Sequence, residues 1–136
     1  MLDDVHQITA GAVLLWMIGI AYGGTFLLRV TRGRVPANDL QQRFFRAGHA
    51  HAEVLVILGL VVMLLTQQND VGRLWQTLAS GVLIAAILMP AGFFLSVLGR
   101  DPQRPGKLIA LLWAGAAALV VGLGSAGVGL IVAGTQ

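Results

Sequence analysis

The chain has 136 residues, 57% of them apolar and 11% charged, with nine Lys and Arg against six Asp and Glu and no cysteine; its mean hydropathy is +0.81. That balance lies far outside the soluble globular range and leaves room for one domain. Without cysteine, disulfides, thiolate metal sites and cysteine nucleophiles are excluded, and no aromatic-basic platform accompanies the net charge of +3 to suggest nucleic-acid binding.

An apolar run of 18 or more residues reads as a spanning helix, since about 20 residues cross the ~30 Å hydrocarbon core. Four such runs separate the charged patches, so the expected fold is an all-α integral membrane four-helix bundle. Helix one is predicted over residues 8–28 with Thr9 as its cap. Gly19 and Gly23, four apart, share a stripe where a neighbouring backbone can approach, and Tyr22 and Thr25 are expected to bond a neighbouring helix. Asp3 and Asp4 stand where a signal peptide carries basic residues, so the segment reads as a retained helix. It ends at Arg29, Arg32 and Arg34, a cluster suited to anionic lipid headgroups.

Gly33 and Pro36 break the chain, and Asn38 or Asp39 caps a new start. Residues 39–46 read as an amphipathic turn or two near the headgroups, continuing into helix two over 47–66. The next loop, 67–75, is nearly neutral, with Asp70 and Arg73, and Trp75 is placed as an interfacial anchor. Helix three is predicted over 76–98, with Pro90 interrupting its middle and kinking it. In the loop 99–107, Pro102 and Pro105 favour a tight hairpin. Helix four covers 108–133. Its small residues Gly122, Ala126, Gly129 and Ala133 follow one face at the spacing of close helix contact, so this face packs inside the bundle or against another subunit. A homo-oligomer, or a subunit of a membrane complex, is the expected state.

Loop 29–46 carries five arginines against Asp39, and loop 99–107 carries Arg100, Arg104 and Lys107 against Asp101. The positive-inside rule makes both loops cytoplasmic and puts the N- and C-termini on the non-cytoplasmic side.

Chemistry concentrates in one stretch, from Arg43 to Glu53. It holds two of the three histidines and the only carboxylate inside an apolar segment. An ionisable group there is costly and needs a partner, a wet cavity or a function. At about 100° per residue His49 and Glu53 share a helix face, whereas His49 and His51 diverge by about 200° and cannot chelate one ion on a regular helix. Arg46 lies on the same broad face and can pair with Glu53 or with an anionic ligand. Arg46, His49, Glu53 and Arg43 are therefore the candidate ligand-binding residues, and His49, His51 and Glu53 the candidate metal ligands. A bis-His haem would have to sit between subunits. A proton path has no further intramembrane acids or bases on helices three and four to continue it.

Arg46-Ala47-Gly48-His49-Ala50-His51-Ala52-Glu53, followed by an apolar helix, resembles the second-helix signature of the MAPEG family, which includes the microsomal glutathione transferases. The family pattern is Arg-Ala, two residues, Asn, two residues, Glu; Arg46, Ala47 and Glu53 match it and Ala50 replaces the Asn. The resemblance implies four membrane helices, non-cytoplasmic termini, a cytoplasm-facing site and a homotrimer sharing glutathione sites. Tyr22 is the only tyrosine, so thiolate activation would fall to Arg100, Arg104 or the first-loop arginines. Three functions are thus expected in order: a non-enzymatic bundle or accessory subunit with a structural or partner-binding Arg/His/Glu cluster, a MAPEG-like glutathione-binding enzyme, and a metal or haem redox protein.

Overall fold

In a computed structural model describing residues 3–135, α1 runs over Asp4–Thr31, α2 over Asp39–Gln68, α3 over Arg73–Ala79, α4 over Gly81–Leu95 and α5 over Ala110–Gly134, the last preceded by a 3-10 turn at Lys107–Ile109. All regular structure among the described residues is helical. Four stretches are long and apolar enough to cross a membrane: Asp4–Thr31, Asp39–Gln68, Arg73–Leu95 and Lys107–Gly134.

The helix starts follow from capping chemistry. Asp3, rather than the expected Thr9, caps α1: its carboxylate accepts the His6 backbone N–H at 2.9 Å, while the Thr9 hydroxyl turns back to the Val5 carbonyl. Helix one thus begins about a turn earlier than expected. At α2, Asn38 and Gln41 form a reciprocal capping box, which satisfies two backbone donors otherwise orphaned at a helix start. The amphipathic segment 39–46 continues without interruption into the apolar span.

Helical structure runs through Pro90, and the break in helix three falls at Ser80. A proline removes only one ladder bond, and packing around the buried Pro90 tolerates that loss. At Ser80 the hydroxyl donates to the Thr77 carbonyl at 2.6 Å, a local bond that competes with the helix ladder. Tyr22 and Thr25 also depart from expectation: the Thr25 hydroxyl donates to the Tyr22 carbonyl within α1, and Tyr22 stands 75% exposed.

α2 is the hub. It meets α1, α3, α4 and α5, whereas α1 approaches no other helix backbone. Lipid tails are as apolar as leucine, so hydrophobicity alone does not bring membrane helices together; close packing and interhelical bonds do. The α4–α5 contact is built on that principle. Gly115, Gly122 and Gly129 recur every seven residues along α5, with Met89, Val82 and Trp75 pressed against them in turn. The small-residue face of the last helix is therefore used within the chain: Gly122, Ala126 and Gly129 are all buried. Gly124 and Gly127 meet nothing within 4 Å.

Three apolar layers fill the bundle. Val62, Ala79, Val82 and Ala126 lie toward one end, and Leu55, Val56, Ala85 and Ala86 occupy the middle. Val30, Phe45 and Val97 close the other end. Beyond this last layer, the Gln41 amide donates to the carbonyls of Val97 at 3.0 Å and Gly99 at 3.1 Å. Asn38 reaches Asp101 and the Pro102 carbonyl, each at 2.8 Å. These bonds tie the start of α2 to the 99–107 loop and set the depth at which α2 enters the bundle.

Candidate functional site

All five phenylalanines, Phe26, Phe44, Phe45, Phe93 and Phe94, gather at the Val30–Phe45–Val97 end. Phe45 stacks on Phe94 with centroids 5.4 Å apart and meets Phe26 edge-on at the same distance; Phe44 meets Phe93 edge-on at 5.6 Å. Gly48 lets α2 approach this cluster, since a β-carbon there would stand 2.8 Å from the Phe94 ring. The aromatic wedge fixes the rotation of α2, and so decides where the two histidines point.

They point apart. The His49 ring enters a niche made by the missing side chains of Gly23 and Gly24 on α1, where a β-carbon on Gly24 would lie 3.4 Å from His49 Nε2. His51 turns to α4: its ring sits 5.0 Å from that of Phe93, and its Nδ1 donates to the Ala47 carbonyl at 2.7 Å. His49 Nε2 lies 3.1 Å from Glu53 Oε1. The expected His49–Glu53 face is thus present, and His51 is outside it.

Glu53 pairs with His49 and not with Arg46. Arg43 and Arg46 are exposed, and neither forms an ion pair with a described residue. The Glu53 side chain remains 49% exposed while that of His49 is 17% exposed. At 1.5 Å rise per residue, Glu53 is about 10 Å along α2 from Arg46, well inside the apolar stretch. The candidate metal set His49, His51 and Glu53 does not converge, and no group of three His, Cys, Asp or Glu suited to an ion occurs among the described residues. A bis-His haem on His49 or His51 would need its second axial ligand from another chain.

No family profile, curated protein or solved structure matches this sequence. The resemblance to the MAPEG signature therefore stands on Arg46, Ala47 and Glu53 themselves. The lipid candidates Arg29, Arg32 and Arg34 cluster at the end of α1, all exposed and without ion pairs among the described residues.

One polar group was missed in the sequence. At the opposite end of the bundle His6 links the start of α1 to the end of α2: its Nδ1 lies 2.5 Å from Asp3 Oδ1 and 2.7 Å from the Gln67 amide nitrogen. The His6 backbone N–H, followed by the ring contact, holds the Asp3 carboxyl below its ordinary range. A cleft of about 460 Å³ opens beside them, with Thr66, Arg73 and Gln76 on its far side. Asp3 and His6 are three apart, a spacing that marks a helix cap; their link to Gln67, 61 residues away, leaves no trace in any local pattern.

Proposed function

We propose that this chain is a multi-pass membrane protein without enzymatic activity of its own, a bundle that assembles with further copies through the Glu53 face of α2. Its four membrane-length helices support insertion, and the arginine-rich loops support cytoplasmic placement of 29–46 and 99–107, with both termini on the other side.

The observation that carries assembly is the 49% exposure of the Glu53 carboxylate within a helix long and apolar enough to span the bilayer. An ionisable group in a membrane segment faces a partner or water, not lipid tails. His49 satisfies one side of Glu53; the other side, together with the unpaired Arg46, is open for a second surface. The Glu53 side chain is 49% exposed on the outer face of α2, a position suited to contact with a second surface. The test is the mass of the detergent-solubilised protein by light scattering. The wild type is expected as an oligomer and Glu53→Leu as a smaller species that still resists carbonate extraction from membranes; a wild-type monomer would refute assembly.

A second reading rests on the same residues. A shared anion site between copies, with Arg46 and Glu53 holding glutathione as the MAPEG resemblance implies, gives the interface a ligand. Under the assembly reading millimolar glutathione leaves the melting temperature unchanged. A rise that disappears in Arg46→Ala and Glu53→Gln would replace it with the glutathione reading.

A further inference from the structure

α1 and α4 both stand on α2, yet their backbones do not approach each other. The space between them is a furrow. At its outer end is the cleft of about 460 Å³ bordered by Asp3, His6 and Arg73. Farther in, an almost wholly apolar cleft of about 240 Å³ lies between Trp16, Val56 and Ile87. Leu83, its side chain packed onto Gly59 of α2, lines both spaces and is the point where they adjoin.

Three properties of the furrow identify its occupant. Its polarity falls along its length, from a charged mouth to an almost wholly apolar inner end, as an amphiphile requires. Its length matches one leaflet: Thr66 at the mouth and Val56 at the inner end are separated by about 15 Å on α2, half of the ~30 Å hydrocarbon thickness. Its mouth offers one cation that no carboxylate of a described residue holds. The Asp3 carboxylate is already engaged by the His6 backbone and ring, whereas Arg73 has no ion pair with a described residue. Arginine forks match phosphate oxygens in a geometry that ammonium groups do not.

We propose that this furrow holds one phospholipid of the surrounding leaflet, its phosphate at Arg73 and one acyl chain running past Leu83 to Trp16. The lipid would occupy the gap that keeps α1 apart from α4. The proposal rests on the membrane reading above and is independent of assembly through Glu53.

Native mass spectrometry of the full chain, released from detergent micelles containing dioleoyl phosphatidylglycerol, tests it. The wild type is expected to retain one phospholipid per chain under activation that strips the others. Arg73→Gln lowers that occupancy about fivefold, the value of one basic residue beside an anionic headgroup. Ala12→Phe, placed on the exposed rim of the apolar end, abolishes it, and Arg100→Gln at the other end of the bundle leaves it unchanged. Equal retention by wild type and Arg73→Gln overturns the proposal, as does preferential retention of oleate over the phospholipid. Should Ala12→Phe lose its helical circular dichroism, the exposed Arg73 variant decides alone. Carbonate extraction distinguishes the failures: protein retained in membranes but lacking a bound lipid refutes the furrow and spares the membrane reading.

Discussion

Gly115 of α5 lies against the backbone of Met89 on α4, so closely that a β-carbon at Gly115 would stand 2.8 Å from the Met89 nitrogen. Two helix backbones in contact leave nothing flexible to move aside. Gly115→Ala is therefore expected to destabilise the bundle by about 1–3 kcal/mol, the usual cost of overpacking. Gly124→Ala and Gly127→Ala add a methyl where no atom lies within 4 Å and are expected to be neutral or to stabilise by up to about 1 kcal/mol through helix propensity. Thermal unfolding in detergent, followed by circular dichroism, ranks the three; equal effects at all positions would remove the glycine seam as the basis of α4–α5 packing.

Gln41 is 7% exposed and serves the α2 cap with its oxygen and the 97–99 backbone with its nitrogen. Gln41→Leu keeps the bulk but strands the Val97 carbonyl. A loss of about 1–3 kcal/mol is expected, as for a buried polar group left without its partner. Faster proteolysis of the 99–107 loop should accompany it, because that loop loses one of its two ties to α2. Wild-type cleavage rates in the variant would show that Asn38 alone secures the loop.

Arg29, Arg32 and Arg34 have no protein partner among the described residues, and basic side chains beside a membrane attract anionic lipid at about 1 kcal/mol each. In nanodiscs, replacing neutral by anionic lipid should raise the wild-type melting temperature, and the triple Gln variant should lose most of that rise. High salt should shrink the difference for the wild type. An unchanged lipid response in the triple variant would assign these residues to topology alone.

The Asp3 cap imposes a pH dependence on the start of α1. Its carboxyl is held below the ordinary value of 3.8 chiefly by the His6 backbone N–H. The charged form is thus favoured by folding: its contribution is fully present above the ordinary Asp value and is lost as pH falls through the lowered one. Hydrogen exchange at the His6 amide should accelerate, relative to its intrinsic rate, only in that acid window. In Asp3→Ala it should be fast at every pH; protection that survives the substitution would mean that the cap is not what orders the first turn.

Much of the candidate site is legible from residue spacing. His49 and Glu53 are four apart on one helix and meet as a regular helix requires, and His51 falls outside their face for the same reason. The rest depends on neighbours. Arg46 had two possible partners within the sequence, and Glu53 went to His49 because Gly23 and Gly24 of α1 leave a niche that seats the imidazole beside the carboxylate. The break at Ser80 also escaped, since a hydroxyl bonding back to its own helix is a weak signal beside a proline.

The sequence by itself determined four apolar membrane-length segments, the segregation of basic residues to two loops and the division of His49 from His51. Each is a local property, set by the hydropathy of about 20 consecutive residues or by the 3.6-residue period of a helix. Only the tertiary structure decided that Gly115, Gly122 and Gly129 of α5 are used inside the chain, that Gln41 joins two loops, and that the backbone of α1 approaches only that of α2. Those outcomes depend on which helices approach one another and at what rotation. Contacts between residues dozens of positions apart set that choice, and no local period records them.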